Sequence, residues 1–183
     1  MKVILVGYPA SQQIVPASRY LTSKYLPGFD KHYLNYVGDI SGWSRFVATY
    51  LTHLKDEKVI FALDDYLVSG FNKEVYEDLN QKVKDEVVCA KLHDTTEEEH
   101  IGYPVTTQYT IWNREFLINL LSQTTTPWDF EIHGSSIFNN LKVKSIYTVP
   151  AITYNTSSCL SSRWQGVDWK GVKQEDLKII QNL

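Results

Sequence analysis

The sequence predicts an α/β protein with a mixed, mostly parallel central sheet flanked by helices, and three observations carry that expectation. The runs "KVILVG" (2–7), "KVIFAL" (58–63) and "EVVCAKL" (86–92) are short, unbroken and apolar, the pattern of strands covered on both faces. Segments of helical period separate them, so consecutive strands need crossovers and lie parallel. Further strand-like runs in the second half make the sheet mixed. A chain of 183 residues is long enough to bury a full core, and a single domain over 1–183 is the simplest organisation.

The elements follow in order. "KVILVG" ends the first strand at Gly7. A helix over 14–25 has Pro16 in its first turn and "LPG" (26–28) as its stop. "KHYLNYV" (31–37) reads as the second strand. In "SGWSRFVATYLTHL" (41–54), Trp43, Phe46, Val47, Tyr50, Leu51 and Leu54 form one apolar stripe at helical spacing. "KVIFAL" is the third strand, and "DDYLVSG" (64–70) reads as a strand running into a turn. Asn72 caps a polar helix carrying Val75, Leu79 and Val83, and "EVVCAKL" follows as the fourth strand. "DTTEEEHIG" (94–102) reads as an acidic, exposed loop. "PVTTQYTIW" (104–112) is a strand and "NREFLINLLSQ" (113–123) a short amphipathic helix. Thr126, Pro127 and Asp129 mark another helix start, with Phe130, Ile137, Phe138 and Leu141 as its buried stripe. "VKSIYTVPAITY" (143–154) gives one or two closing strands, and "KQEDLKIIQNL" (173–183) a terminal helix.

Composition narrows the function classes. Charged residues make up 21% and hydrophobic residues 43%, an ordinary globular balance. A net charge of -3 and a pI of about 5.9 argue against a nucleic-acid partner or an anionic membrane surface. Cys89 and Cys159 lack CxxC spacing, so neither a disulfide framework nor a zinc site is indicated. No apolar run is long enough for a membrane span or a signal-peptide core, so a soluble, cytoplasmic protein is expected. The 12 Tyr and 5 Trp suit either stacking on sugars and bases or a core of large side chains.

Ligands of open α/β sheets sit beyond the carboxyl ends of the strands. Three such ends carry suggestive residues: Gly7-Tyr8-Pro9, Gly38-Asp39 and Asp64-Asp65. No GxGxxG or P-loop is present, which speaks against a dinucleotide-dependent dehydrogenase or a P-loop NTPase. Adjacent carboxylates suit Mg2+ or Mn2+, which take oxygen ligands. In a regular strand they point to opposite faces, so they serve one ion only where the chain turns. A structural cap or a surface turn is the other reading of the pair.

Four blocks carry a resemblance across most of the chain: "GWSRFVATYLTHLKDEKVIFALDDYLVSG" (42–70), "TTQYTIWNREFLINLL" (106–121), "TPWDFEIHGS" (126–135) and "YNTSSCLSSRWQG" (154–166). Together they resemble the small GT-A-type glycosyltransferases of viral and bacterial surface-glycan systems, a family that includes the capsid-glycan transferase domain of a large algal DNA virus. The resemblance implies a single GT-A-like (Rossmann-like) domain. Residues 1–92 would form the nucleotide-sugar-binding half and 93–183 the acceptor-side half. It also implies a sugar moved from a nucleotide-sugar donor to a glycan or other hydroxyl acceptor, with Mn2+ or Mg2+ as cofactor and polysaccharide biosynthesis as the setting. Two departures stand out: there is no literal DxD, because position 63 is Leu, and "SSRW" stands where a Gly-Lys-Trp-like block is expected.

Under that resemblance Asp65 is the metal ligand, and Asp64 touches the ribose or the metal's waters. Glu131 is the base of an inverting displacement, with Asp129 as runner-up or helix cap. Tyr8, Pro9 and Asp39 shelve the nucleotide base. Gln108 and Trp43 complete the donor site, although Trp43 heads a core stripe. Trp112 is a matching block residue or a core anchor, His133 an acceptor contact or plain surface, and Arg163 a phosphate ligand or an exposed ion pair. The expected partners are the donor and acceptor alone, with no nucleic acid and no membrane span, in a monomer or homodimer. A nucleotidyltransferase and a non-catalytic sugar- or nucleotide-binding module are the alternatives.

Overall fold

The structure is a computed structural model that describes residues 1–8, 11, 14–156, 169 and 172–183. Strand β1 (Lys2–Gly7) leads through α1 (Val15–Tyr25) to β2 (Asp30–Asn35). A 3-10 turn at Ile40–Gly42 runs into α2 (Trp43–Thr52), then β3 (Lys58–Leu63), β4 (Tyr66–Phe71), α3 (Lys73–Lys82) and β5 (Val87–Lys91). The second half holds α4 (Glu97–Gly102), β6 (Thr110–Asn113), α5 (Arg114–Ser122), α6 (Pro127–Asn139), β7 (Lys144–Ile146), β8 (Ile152–Thr156) and α7 (Gln174–Ile180). No helix among the described residues is long and apolar enough to cross a membrane.

Six strands form the central sheet in the order β2-β1-β3-β6-β5-β7. β1 is parallel to both β2 and β3, and β7 is parallel to β5. β6 is antiparallel to both β3 and β5, so it alone is reversed. The carboxyl ends of β1, β3 and β5 therefore share one edge of the sheet. β4 leaves this sheet and pairs antiparallel with β8 as a separate ribbon.

The apolar runs behave as their patterns demand: Val3 to Val6 and Val59 to Ala62 are all fully buried. The α2 stripe enters the core through Trp43, Val47 and Leu51. Trp43 meets the rings of Phe61 and Phe130, and Phe130 also meets Trp112, tying α2, α6, β3 and β6 together. A second cluster joins Ala17 and Leu21 of α1 to Leu67 of β4 and Val172, with Leu177 and Ile180 of α7 against it. The Asp176 carboxylate, fully buried, fixes α7 to α1 by accepting from Tyr20 Oη (3.0 Å), Tyr25 Oη (2.7 Å) and Lys24 Nζ (2.7 Å).

Four expectations need correction. Residues 66–71 are a strand, buried at Tyr66, Leu67 and Val68, and not a turn, because β8 returns to pair with them. Residues 97–102 are helical: Thr96 Oγ1 accepts from Glu99 N–H while the Glu99 carboxylate accepts from Thr96 N–H, a complete capping box. The strand expected from 104 begins only at Thr110. Ahead of it, side chains of α6 hold the backbone: Val105 N–H donates to Ser135 Oγ and Thr107 N–H to Glu131. Leu141 lies beyond the end of α6 and is 44% exposed; Gly134 and Ser135 fill the buried face instead.

Candidate active site

Asp64 and Asp65 are the two residues that turn the chain from β3 into β4. Asp64 N–H donates to the Val6 carbonyl (3.2 Å), which sets the pair against the end of β1. Glycine suits the neighbouring position: a Cβ on Gly7 would come too close to Asp64 Oδ2 and force that carboxylate to shift. Asp64 is 5% exposed and Asp65 1%. Tyr8 Oη donates to Asp65 Oδ2 (3.2 Å), yet Oδ1 of each aspartate is buried without a hydrogen-bond partner among the described residues.

Carboxylates placed like this resist ionisation. Burial pushes the Asp64 carboxyl up to about 6, against the lowering effect of the Ser11 hydroxyl. Burial, with the adjacent Asp64 charge next in weight, pushes Asp65 up to about 7. Glu131 adds to the rise at Asp65, so the two halves of the site share one field.

Glu131 lies in the first turns of α6, half-buried. Its Oε1 accepts from Thr107 N–H (2.8 Å), Thr107 Oγ1 (2.7 Å) and Thr106 Oγ1 (3.4 Å). Its Oε2 takes no hydrogen bond from any described residue. Tyr66 Oη, one residue past the acidic pair, lies 3.5 Å from Thr107 Oγ1 and links the two sets of carboxylates. Beside Glu131 opens a cavity of about 320 Å³, with Lys91, His93, Thr106, Gln108 and Glu131 in its wall. Gln108 Oε1 accepts from Tyr154 Oη of β8.

The structure thus brings Tyr8 to the buried Asp64–Asp65 turn, and places Gln108 and Glu131 together in the wall of the cavity. Other expected site residues are placed differently. Trp43 is fully buried in the aromatic cluster and has no free face for a donor. Asp39 is exposed and caps the 3-10 turn, accepting from Ser41 N–H (2.9 Å) and the Ser41 hydroxyl, which hold its carboxyl below the usual range. Asp129 accepts from Thr125 N–H (2.7 Å) and Thr125 Oγ1 (3.1 Å) as part of the cap of α6. Trp112 is a core anchor, and His133 is 55% exposed, 3.8 Å from Asp129. Pro9, Cys159 and Arg163 lie outside the described residues.

Lys91 and His93 are site-wall residues that the sequence reading missed. Their signal is a lysine inside an apolar strand, "VVCAKLHD" (87–94), with a histidine two residues on. Charge is not placed in such a run without a use or a partner.

No family model matches the chain, and no curated protein aligns with it. Solved structures do superpose. The glycosyltransferase GlyE of Streptococcus pneumoniae TIGR4 does so with a TM-score of 0.60 and 10% identity, over 99% of this chain and 62% of that one. The chain therefore spans about three-fifths of GlyE. A197 from STIV matches over 84% of each chain, with a TM-score of 0.52 and 10% identity. A glycosyltransferase involved in glycosylating the major capsid of PBCV-1 overlaps more loosely, at 0.48 and 14% identity, over 81% of this chain and 80% of that one. What this defines is a fold class: the chain is an α/β protein with a glycosyltransferase-like fold.

Proposed function

We propose that the protein is a glycosyltransferase that moves a sugar from a nucleotide-sugar donor to a hydroxyl acceptor by a metal-assisted, inverting displacement. The observation that carries the reading is the buried Asp64–Asp65 turn at the shared carboxyl edge of β1 and β3, with an Oδ1 on each residue that has no partner among the described residues. Carboxylate oxygens left bare in a dry site suit a hard divalent cation. No cluster of three or more potential ligands exists among the described residues, so the pair supplies two carboxylates and relies on phosphate oxygens and water for the rest. Asp65 is the principal ligand, held by Tyr8 Oη; Asp64 supports it. Asp65 and Asp64 would hold such a cation, which would supply positive charge to neutralise the leaving diphosphate.

The chain's own residues supply the other half of the chemistry. In an inverting displacement the acceptor oxygen bonds to the anomeric carbon as the bond to the diphosphate breaks, and the acceptor's proton goes to a base. Glu131 suits that role: three donors fix Oε1 in place, while Oε2 is unengaged beside the cavity. Asp129 is committed to its cap. The first test is thermal melting of the protein with nucleotide sugars, with and without Mn2+, since a ligand of the folded state raises the melting temperature. A metal-dependent rise with at least one donor is expected; no response to any of them sinks the reading.

A further inference from the structure

Resting on that reading, we infer that the cavity beyond Glu131 is the acceptor subsite and that it selects an acceptor sugar carrying a carboxylate, held by Lys91. Lys91 and Glu131 line the same cavity, and neither Asp64 nor Asp65 is in its wall. The cavity thus holds the base and the ammonium without the pair assigned to the diphosphate, which leaves its space to the acceptor.

The floor and the rim of this cavity differ. Lys91 and His93 are buried, at 2% and 3% exposure, whereas Asp94, Glu99 and Tyr103 are exposed. Lys91 Nζ donates to the Tyr103 carbonyl (2.7 Å), one bond for three available protons. No ion pair among the described residues includes it. A buried ammonium without a contacting carboxylate is costly, and an anionic group on the ligand removes that cost. Glu99 is tied to Thr96 at the start of α4, and Glu131 Oε1 is tied to Thr107; both act on Lys91 only at longer range than an ion pair.

His93 complements this arrangement. Its Nδ1 faces the Asp94 carbonyl at 2.8 Å and so carries the proton, which leaves Nε2 as a buried acceptor without a partner among the described residues. Burial holds the ring neutral, with its pKa pushed down to about 4. A neutral acceptor suits a sugar hydroxyl and not a second carboxylate. The floor thus offers one cation for a carboxylate and one lone pair for a hydroxyl, the two kinds of group a uronate carries.

The experiment titrates methyl β-glucuronoside and methyl β-glucoside against the full chain by ligand-observed NMR, with Lys91→Met alongside. The glucuronoside is expected to bind at least about tenfold more tightly, and Lys91→Met to abolish that preference while glucoside binding persists. Equal binding of the two sugars, binding of neither, or a preference that survives Lys91→Met overturns the inference. The wild-type comparison decides alone if the variant does not fold. Nucleoside diphosphate binding is titrated separately, so failure of the acceptor assignment and failure of the transferase reading are distinct results.

Discussion

Asp176 and Asp65 are both shut off from solvent, 0% and 1% exposed, although Asp65 lies deeper, and they behave in opposite ways. Burial alone would raise both. At Asp176 two tyrosine hydroxyls and the Lys24 ammonium outweigh it, and the carboxyl ends below its ordinary value. At Asp65 the Tyr8 hydroxyl and the residue's own backbone N–H cannot, and the neighbouring Asp64 adds to the rise. Low exposure therefore does not set Asp65 apart; its shortage of donors does. Asp176 is a fastener between α1 and α7, held by three donors. Asp65 keeps its Oδ1 without a donor among the described residues.

The largest expected effect lies at a third carboxylate, part fastener and part free. Glu131→Gln is expected to lower turnover by about two to four orders of magnitude while donor affinity holds. Equal turnover in variant and parent would remove Glu131 as the base. Next, Asp176→Asn loses a charged acceptor shared by three donors and should destabilise the fold by about 2–3 kcal/mol, read by urea titration. Asp65→Asn should do the reverse to the ligand-free protein, stabilising it by on the order of 1–2 kcal/mol at pH 8 while abolishing metal-supported nucleotide binding. A loss of stability from Asp65→Asn comparable to that from Asp176→Asn would erase the contrast between the two sites.

The pH dependence separates the same two residues. Asp65 takes its proton near pH 7 when folded and near 3.8 when unfolded, so between those values the folded chain holds the extra proton. The ligand-free protein should accordingly lose stability as pH rises from about 4 to about 7, and Asp65→Asn should flatten that slope. Asp176, with its folded value lowered, stabilises the fold above its unfolded value, and that contribution disappears only as pH falls below it. Smallest of all, Asp129→Asn should cost on the order of 1 kcal/mol of stability and leave turnover intact, as a cap residue would.

Much of this was legible in the sequence, for local reasons. β1 and β3 announce themselves as unbroken apolar runs, α2 by its stripe, α3 by the Asn72 cap, and the Asp64–Asp65 pair by its place after an apolar strand. The illegible parts depend on partners distant in the chain. β4 is a strand only because β8 pairs with it, and "YLVSGF" shows no period to say so. The 103–109 segment takes its course from Glu131 and Ser135 on α6, contacts that no local pattern encodes. Lys91 was visible as a misplaced charge, but its role follows only from the cavity it faces. The α4 capping box, by contrast, was written plainly in Thr96 and Glu99 and was overlooked beneath the run of glutamates.

The β4–β8 ribbon has a consequence for how the chain is made. Its register pairs Tyr66 with Thr156, so a strand that leaves the acidic turn waits for a partner translated long afterwards. Contacts so far apart in sequence close slowly, because loop entropy is spent before they form. Until Ile152 to Thr156 emerge, the nascent chain carries an open strand edge with apolar Leu67 and Val68 on it, the kind of edge that pairs with other chains. The strand edge beside the acidic turn is thus among the last parts of the fold to close, and the part most in need of protection while it waits.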